Sequence, residues 1–383
     1  MKKIGGIGVK FFNYGTVLQL FAVQEAVRSL GYKYEVIDYA PSHPAHENLV
    51  QRVIRRVPEF IRNPSDAAQA LFLKGVMRHP GRSKKFRNFL QNHLQIGGKI
   101  FRSCGDLRSD LPSYDAFLCG SDQIWNPRCY GNDPTFFLAF APPCQRVSYA
   151  PSIGLSSIPD HHKKAMKDLL DGVAHLSVRE KRGAQIIKEL TGREAKVVLD
   201  PTLLLTPEKW SEIASPWNRN GSYIFCYFLE SDFYSRKIVS QLARQMNYDV
   251  VFLLLNYRDL FNNSIIKKID VGPEEFLGLI KNASLVCTDS FHATVFSILF
   301  KKPFYAFRRY LGNAPGQTFS RIENLLDTVN LSSQIIGKDM KIPNDPLIID
   351  FCNANRSLNA EIKTSMEYLK NALRSATGEK GDE

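Results

Sequence analysis

The sequence predicts an α/β protein of two domains, each a parallel sheet flanked by helices. Three observations lead there. At 383 residues the chain exceeds one ordinary core and suits two domains of about 150 to 200 residues. Short apolar runs of strand length alternate with amphipathic helical stretches through most of its length. The alternation pauses between residues 205 and 220, with two prolines and the loop-like Asn218-Arg219-Asn220-Gly221, and restarts at Tyr223.

The chain opens as a strand over Ile4 to Val9, a loop from Lys10 to Gly15, an amphipathic helix near Val17 to Leu30 closed by Gly31, and a strand from Tyr34 to Tyr39. Further strand-like runs follow at Asp115 to Cys119, Val147 to Ala150, Leu176 to Val178 and Lys196 to Leu199, with helical patterns at His161 to Leu170 and Arg182 to Leu190. The second half repeats the scheme. Strands are expected at Tyr223 to Leu229, Asp249 to Leu255, Ser284 to Thr288 and Phe304 to Phe307, and helices at Phe233 to Met246, Pro273 to Asn282 and Phe291 to Phe300. The expected domains are residues 1–210, with a basic helical insertion at about 45–105, and residues 211–345. A last helix within 346–383, over Ser357 to Leu373, packs back across the junction, and a polar tail ends the chain. Ligands of open parallel sheets bind beyond the carboxyl ends of the strands, so a cleft between two such domains is the expected site.

Composition narrows the class. The apolar fraction is 44% and the charged fraction 23%, which fits a packed core rather than disorder. Met1 to Val9 lacks the apolar core of a signal peptide, and no run reaches the ~18 apolar residues of a membrane span, so a cytoplasmic protein is expected. Seven cysteines, at 104, 119, 129, 144, 226, 287 and 352, form no CxxC pair. They read as reduced thiols, with neither a metal nor a cofactor implied. The Asn-x-Ser triplets at Asn262, Asn282 and Asn330 then carry no glycosylation signal.

The segment richest in chemistry runs from Leu285 to Thr294. A buried-type strand ends in Thr288 and Asp289-Ser290-Phe291-His292 opens a helix, which sets His292 in the first helical turn. Main-chain N–H groups and the positive end of the helix dipole make such a spot an anion site, with Asp289 or Ser290 as N-cap. The dipole also disfavours imidazolium, as suits a general acid/base. A capping residue followed by a structural histidine satisfies the same pattern.

Asn13, Tyr14 and Gly15 follow the first strand and open the first helix, where a glycine lets a ligand approach the backbone. A plain helix-start loop would look the same. Gly5-Gly6-Ile7-Gly8 is no dinucleotide fingerprint, because its glycines lie within or before the strand. Gly120 to Asn126 gathers Asp122, a candidate base, with Trp125 and Asn126, the groups that bind sugar faces and hydroxyls; a turn capped by Asp122 is the other reading. Arg179 follows a strand where its fork could hold a carboxylate or phosphate, or simply start a solvated helix. Arg308, Arg309 and Arg321 follow the last expected strand and offer further positive charge.

Residues 51–90 hold ten basic residues against two acidic ones, much of the chain's net +12. Val53, Ile54, Val57, Phe60 and Ile61 fall between them at helical spacing. Docking to acidic membrane lipid, attraction of an anionic polymer and a solvated basic face all fit. No nucleic-acid module accompanies the charge.

Taken in order, Asn13-Tyr14-Gly15 with Leu18-Gln19, then Gly120 to Asn126, Ser177-Val178-Arg179-Glu180, Leu199-Asp200-Pro201-Thr202 and Thr288 to Ala293 resemble the motifs of polysaccharide pyruvyl transferases over roughly residues 1 to 335. The resemblance implies two Rossmann-like domains facing across a cleft, the arrangement called GT-B. It also implies transfer of pyruvyl from phosphoenolpyruvate to two sugar hydroxyls, giving a cyclic ketal and phosphate on a surface glycan or its lipid-linked precursor. His292 and Asp122 would then be catalytic; Arg179, Ser290, Phe291, Arg308 and Arg321 would bind the donor; Asn13, Tyr14, Gly15, Trp125 and Asn126 would line the acceptor side. Peripheral contact with the inner membrane face through the basic segment would suit a lipid-linked acceptor. One departure stands out. Family members often carry arginine and leucine where this chain has Ser290 and Phe291. A nucleotide-sugar glycosyltransferase and a glycan-binding protein without a donor site are the alternatives; the former often shows two glutamates eight residues apart in its second domain, a pair not found after Leu205.

Overall fold

The structure, a computed structural model, describes residues 1–41, 64–111, 113–217, 221–230, 233–309, 319–337 and 345–379. The apolar run from Val53 to Ile61, the basic residues 52, 55, 56 and 62, the loop residues 218–220 and the end of the tail lie outside the described residues.

In chain order the main elements are β1 (Lys3–Ile7), α1 (Tyr14–Ser29), β2 (Lys33–Tyr39), α2 (Pro64–Met77), α3 (Pro80–His93), β3 (Ile96–Phe101), β4 (Ala116–Cys119), β5 (Arg146–Ser148), α4 (Asp160–Asp171), β6 (Ser177–Val178), α5 (Lys181–Thr191) and β7 (Lys196–Val197). They continue with β8 (Tyr223–Tyr227), α6 (Phe233–Met246), β9 (Asp249–Leu253), β10 (Ile266–Lys268), α7 (Pro273–Asn282), β11 (Leu285–Thr288), α8 (Phe291–Leu299), β12 (Phe304–Phe307), α9 (Ser320–Thr328), β13 (Ile335–Ile336) and α10 (Phe351–Ala376). The architecture is α/β with two parallel sheets, as the sequence predicts. The first strand stops at Ile7 rather than Val9, so Gly8 and Val9 begin the loop beyond it.

The described residues form two compact units. Of the described residues, the first takes those within 1–41, 90–205 and 360–379, and the second those within 64–89 and 206–359. In the first, the five strands lie in the order β3-β2-β1-β4-β5, all parallel, and β6 pairs with β7. The period of two splits its side chains between two cores. Phe117 and Cys119 face one that includes Met166, Leu170, Ile186 and Ile187, while Ala116 and Leu118 face another with Val23, Ala26 and Val27 of α1. The end of α10 joins that second core through Leu369, Ala372 and Leu373. Tyr368 there donates to the Ser148 carbonyl at 3.1 Å, and Ser365 accepts from the Leu199 N–H at 3.0 Å. The glycines of β1 also find their reason here. A Cβ on Gly6 would sit 1.8 Å from the Tyr34 hydroxyl, whose ring crosses the strand.

The second unit has six parallel strands in the order β10-β9-β8-β11-β12-β13. Its core gathers Ile224, Cys226, Val239, Leu242, Phe252, Leu285 and Tyr305. Residues 64–89, expected as an insertion in the first domain, pack in this unit. The Gln69 carboxamide donates to the Leu255 carbonyl at 2.7 Å and accepts from the Tyr257 N–H at 3.1 Å, while Phe72 packs against the core. All seven cysteines are free thiols. No helix among the described residues is long and apolar enough to cross a membrane.

The segment after the short helix Pro207–Ile213 approaches α7 closely enough to demand a glycine. A Cβ on Gly278 would lie 2.1 Å from the Ser215 carbonyl oxygen, and that backbone is held by a bond from the Ser215 N–H to the Glu274 carbonyl at 2.9 Å. Gly278→Ala should therefore lower stability by about 1–3 kcal/mol in urea unfolding. Gly75→Ala in α2, where no atom lies within 4 Å of the added methyl, should raise it by about 0.5–1 kcal/mol.

Candidate active site

Parallel sheets bind ligands where the strand order reverses. In the first unit that point lies between β1 and β4, and in the second between β8 and β11. The sequence-predicted residues fall beyond the carboxyl ends of β1, β4, β6, β11 and β12, with Arg321 on α9, and each unit brings its own set together.

In the first unit the loop after β1 ends at Asn13, which is exposed and caps α1 by accepting from the Gly15 N–H at 2.9 Å. Tyr14 and Gly15 are buried in the first turn. Across the switch point, Asp122 follows β4 with a φ of +90°, a region that costs a residue with a side chain about 1–3 kcal/mol. The strain is held in place by the Ser152 N–H, which donates to the Asp122 carbonyl at 2.8 Å. The carboxylate is fixed as well. It accepts from Thr16 Oγ1 at 2.7 Å and from the Gln123 N–H at 2.7 Å, and it remains partly exposed. A pre-set, part-exposed carboxylate is the geometry a base on a hydroxyl needs.

Behind it lies a buried ionic knot. Arg179, with its side chain 4% exposed, pairs with Asp200 at 2.6 Å and Glu180 at 3.4 Å. Gln19 donates to Ser121 at 3.1 Å and to Asp200, whose other oxygen accepts from Thr202 Oγ1 at 2.6 Å. Burial works against the Arg179 charge, but the carboxylates of Glu180, Asp200 and Asp122 more than offset it and hold the pKa above its ordinary value. Arg179 was expected to clamp the donor. In the structure its Nε and Nη1 pair with carboxylates of the protein itself.

Trp125 and Asn126, expected on the acceptor side, are both buried. Trp125 is 1% exposed, donates from Nε1 to the Phe136 carbonyl at 2.9 Å and stacks on Phe137, so it is a core residue rather than a sugar platform. Asn126 is 5% exposed and caps the short helix Pro127–Tyr130 through the Arg128 N–H at 3.0 Å. Thr16, Gln19 and Asp200 were not among the candidate site residues, although polar residues within otherwise apolar segments, such as Gln19 in α1, signal such networks.

In the second unit, Asp289 does not cap α8. Its buried carboxylate accepts from the Leu229 N–H at 2.7 Å and the Glu230 N–H at 2.9 Å, tying the end of β8 to the end of β11. Arg309 reaches back from β12, with Nε 3.3 Å from the carboxylate and Nε and Nη2 donating to the Asp289 carbonyl at 3.1 and 2.5 Å. Burial raises the Asp289 pKa, against the opposing pull of Arg309 and the two N–H groups. Ser290 stands at the N-cap of α8 but makes no side-chain capping bond. Phe291 is buried and His292 half-buried, with their rings edge to face at 5.2 Å. Arg321 lies 5.8 Å over the Phe291 ring, while Arg308 is exposed, paired with Glu323 at 2.6 Å and set over Phe319.

A family profile described as polysaccharide pyruvyl transferase matches residues 13–309. No curated protein matches the chain. Among solved structures, the UDP-GlcNAc 2-epimerase from Methanocaldococcus jannaschii is 12% identical, covering 93% of this chain and 98% of its own, with a TM-score of 0.46. The UDP-GlcNAc 2-epimerase from Neisseria meningitidis is 12% identical, covering 98% and 94%, also at 0.46. A glycosyltransferase of Streptomyces sp. SF2575 is 12% identical, covering 95% and 96%, at 0.39.

Removing one partner of a buried ion pair strands the other, so Arg179→Ala should cost about 3–5 kcal/mol in urea unfolding. A pure donor clamp would leave stability unchanged. Asp289 has the opposite sign to a paired surface carboxylate. Its folded pKa is raised, so the native state binds the extra proton and stability falls as pH rises from the unfolded value through the folded one. Asp289→Asn should flatten that part of the stability profile between pH ~4 and neutrality.

Proposed function

The chain belongs to the polysaccharide pyruvyl transferase family, and we propose that it transfers pyruvyl from phosphoenolpyruvate to two hydroxyls of one sugar in a surface polysaccharide or its precursor. The product is a cyclic ketal. The observation that carries the reading is His292 in the first turn of α8, at the switch point of the second sheet and inside the matched region.

The reaction sets out what it needs. An acid protonates C3 of the enol phosphate and positive character builds at C2. One sugar hydroxyl forms a C–O bond there and gives up its proton; the C2–O bond to phosphate breaks, inorganic phosphate leaving with the electron pair, and the second hydroxyl forms the other C–O bond and passes its proton to the departing phosphate. His292 is assigned the proton to C3, from its place in the first turn of α8. Asp122 is assigned a hydroxyl proton of the acceptor, for which Thr16 and the Gln123 N–H hold it ready. With Arg179 committed to Asp200, the donor's negative charge falls to the N-terminal N–H groups of α8, beside Ser290 and Phe291, and to Arg321 and Arg308. Asn13 remains the exposed polar group on the acceptor side.

Purified protein should release phosphate from phosphoenolpyruvate only when a suitable glycan is present, with the glycan gaining one carboxylate per ketal. His292→Ala should slow turnover by about 10²–10⁴-fold without unfolding the protein. Phosphate release that ignores glycan, or full activity in that variant, would overturn the assignment.

A further inference from the structure

The consecutive helices α2 and α3 carry charge that the transfer chemistry does not use. Residues 67–93 contain six lysines and arginines and no aspartate or glutamate. Two of the six are engaged within the second unit. Arg82 is 2% exposed with its guanidinium 4.3 Å over the Phe86 ring, and Lys85 pairs with Glu275 at 2.8 Å and Asp270 at 3.3 Å. The other four, Lys74, Arg78, Lys84 and Arg87, are exposed and form no ion pair among the described residues.

Helical spacing explains the division. Val76 is buried one turn after the half-buried Phe72, and Arg82, Phe86 and Phe89 are buried at spacings of four and three, so these positions form the inner face. Leu71, Lys74 and Arg78 follow spacings of three and four along the outer face of α2, and Lys84 and Arg87 a spacing of three on α3. Leu71 is 72% exposed, an apolar side chain set in a row of cations.

We propose that this outer face docks on a membrane surface bearing anionic phospholipid headgroups, with the four cations at the level of the phosphates and Leu71 entering the acyl boundary. Charge alone would also attract a dissolved anionic polymer. Such a polymer offers nothing apolar to Leu71, whereas a bilayer interface supplies both phosphate and hydrocarbon at the depths an amphipathic helical face reaches. Each lysine or arginine near such a surface strengthens binding roughly fivefold, so four give several hundredfold. The proposal does not depend on the identity of the pyruvyl donor.

The test sediments the full chain, without substrates, with vesicles of phosphatidylcholine alone or with about a third phosphatidylglycerol. Binding should require phosphatidylglycerol, weaken as salt rises, and fall at least roughly tenfold in the combined variant Lys74→Glu, Arg78→Glu, Lys84→Glu, Arg87→Glu. The milder set with glutamine at the same four positions should bind at an intermediate level, which excludes misfolding as the cause, and Leu71→Ser should weaken binding with the charge intact. Absence of binding to the anionic vesicles, undiminished binding by the glutamate variant, or equal affinity for soluble dextran sulfate would each overturn it.

Discussion

A buried carboxylate at the end of a central strand organises the second crevice. Asp289 is 2% exposed, a setting that disfavours its charge, and three groups oppose that cost: the N–H groups of Leu229 and Glu230 and the Arg309 guanidinium. Because these come from the ends of β8 and β12 while Asp289 ends β11, one side chain ties three neighbouring strand ends together. His292 follows three residues later. Its placement is fixed on the other side by α8, whose Ala293, Val295, Phe296, Ile298 and Leu299 are all buried, so the helix cannot turn without exposing one of them. The histidine is thus held by a charge network at one end and a packed helix at the other.

The first unit meets the same demand with different chemistry. There the strand-end charges are neutralised below the crevice, by Arg179 against Asp200 and Glu180, and Gln19 links this knot to Ser121, next to Asp122. Asp122 itself is left half in solvent, in a backbone region that asparagine, aspartate and glycine tolerate best. A strained residue persists only where its surroundings over-determine it, and the bonds from Ser152, Thr16 and Gln123 do so here. The division of labour is between a rigid buried layer and a thin polar layer above it.

This layering explains what the sequence disclosed. Strands buried on both faces, such as Ala116–Cys119 and Leu285–Thr288, read as continuous apolar runs and were legible. The edges were not. Ile96–Phe101 contains two glycines and a lysine, Ile266–Lys268 two lysines, and Ile335–Ile336 is two residues long, so none carries an apolar run of strand length. At the site, the positions of Asp122 and His292 followed from strand ends and helix starts, which local pattern encodes. The partners of Arg179, Trp125 and Asp289 did not, because they lie as far as 60 residues away and depend on which strands become neighbours. Trp125 misled for a related reason: polar neighbours in sequence, Gln123 and Asn126, bond to each other and leave the indole to the core.

Where the donor's charge is met then follows by elimination under the proposed chemistry. Family members often place an arginine at the position of Ser290, and Arg179 is closed off by its own carboxylates. Ser290 supplies something else. A serine at an N-cap ordinarily spends its oxygen on the second or third N–H of the helix, and here no such bond forms. The start of α8 carries the partial positive charge of a helix N-terminus, which favours a carboxylate or phosphate. Arg321, laid against Phe291, brings a full charge to the same corner without an arginine at residue 290. Under the proposed chemistry, a small residue at the cap leaves an anion room to approach the helix backbone.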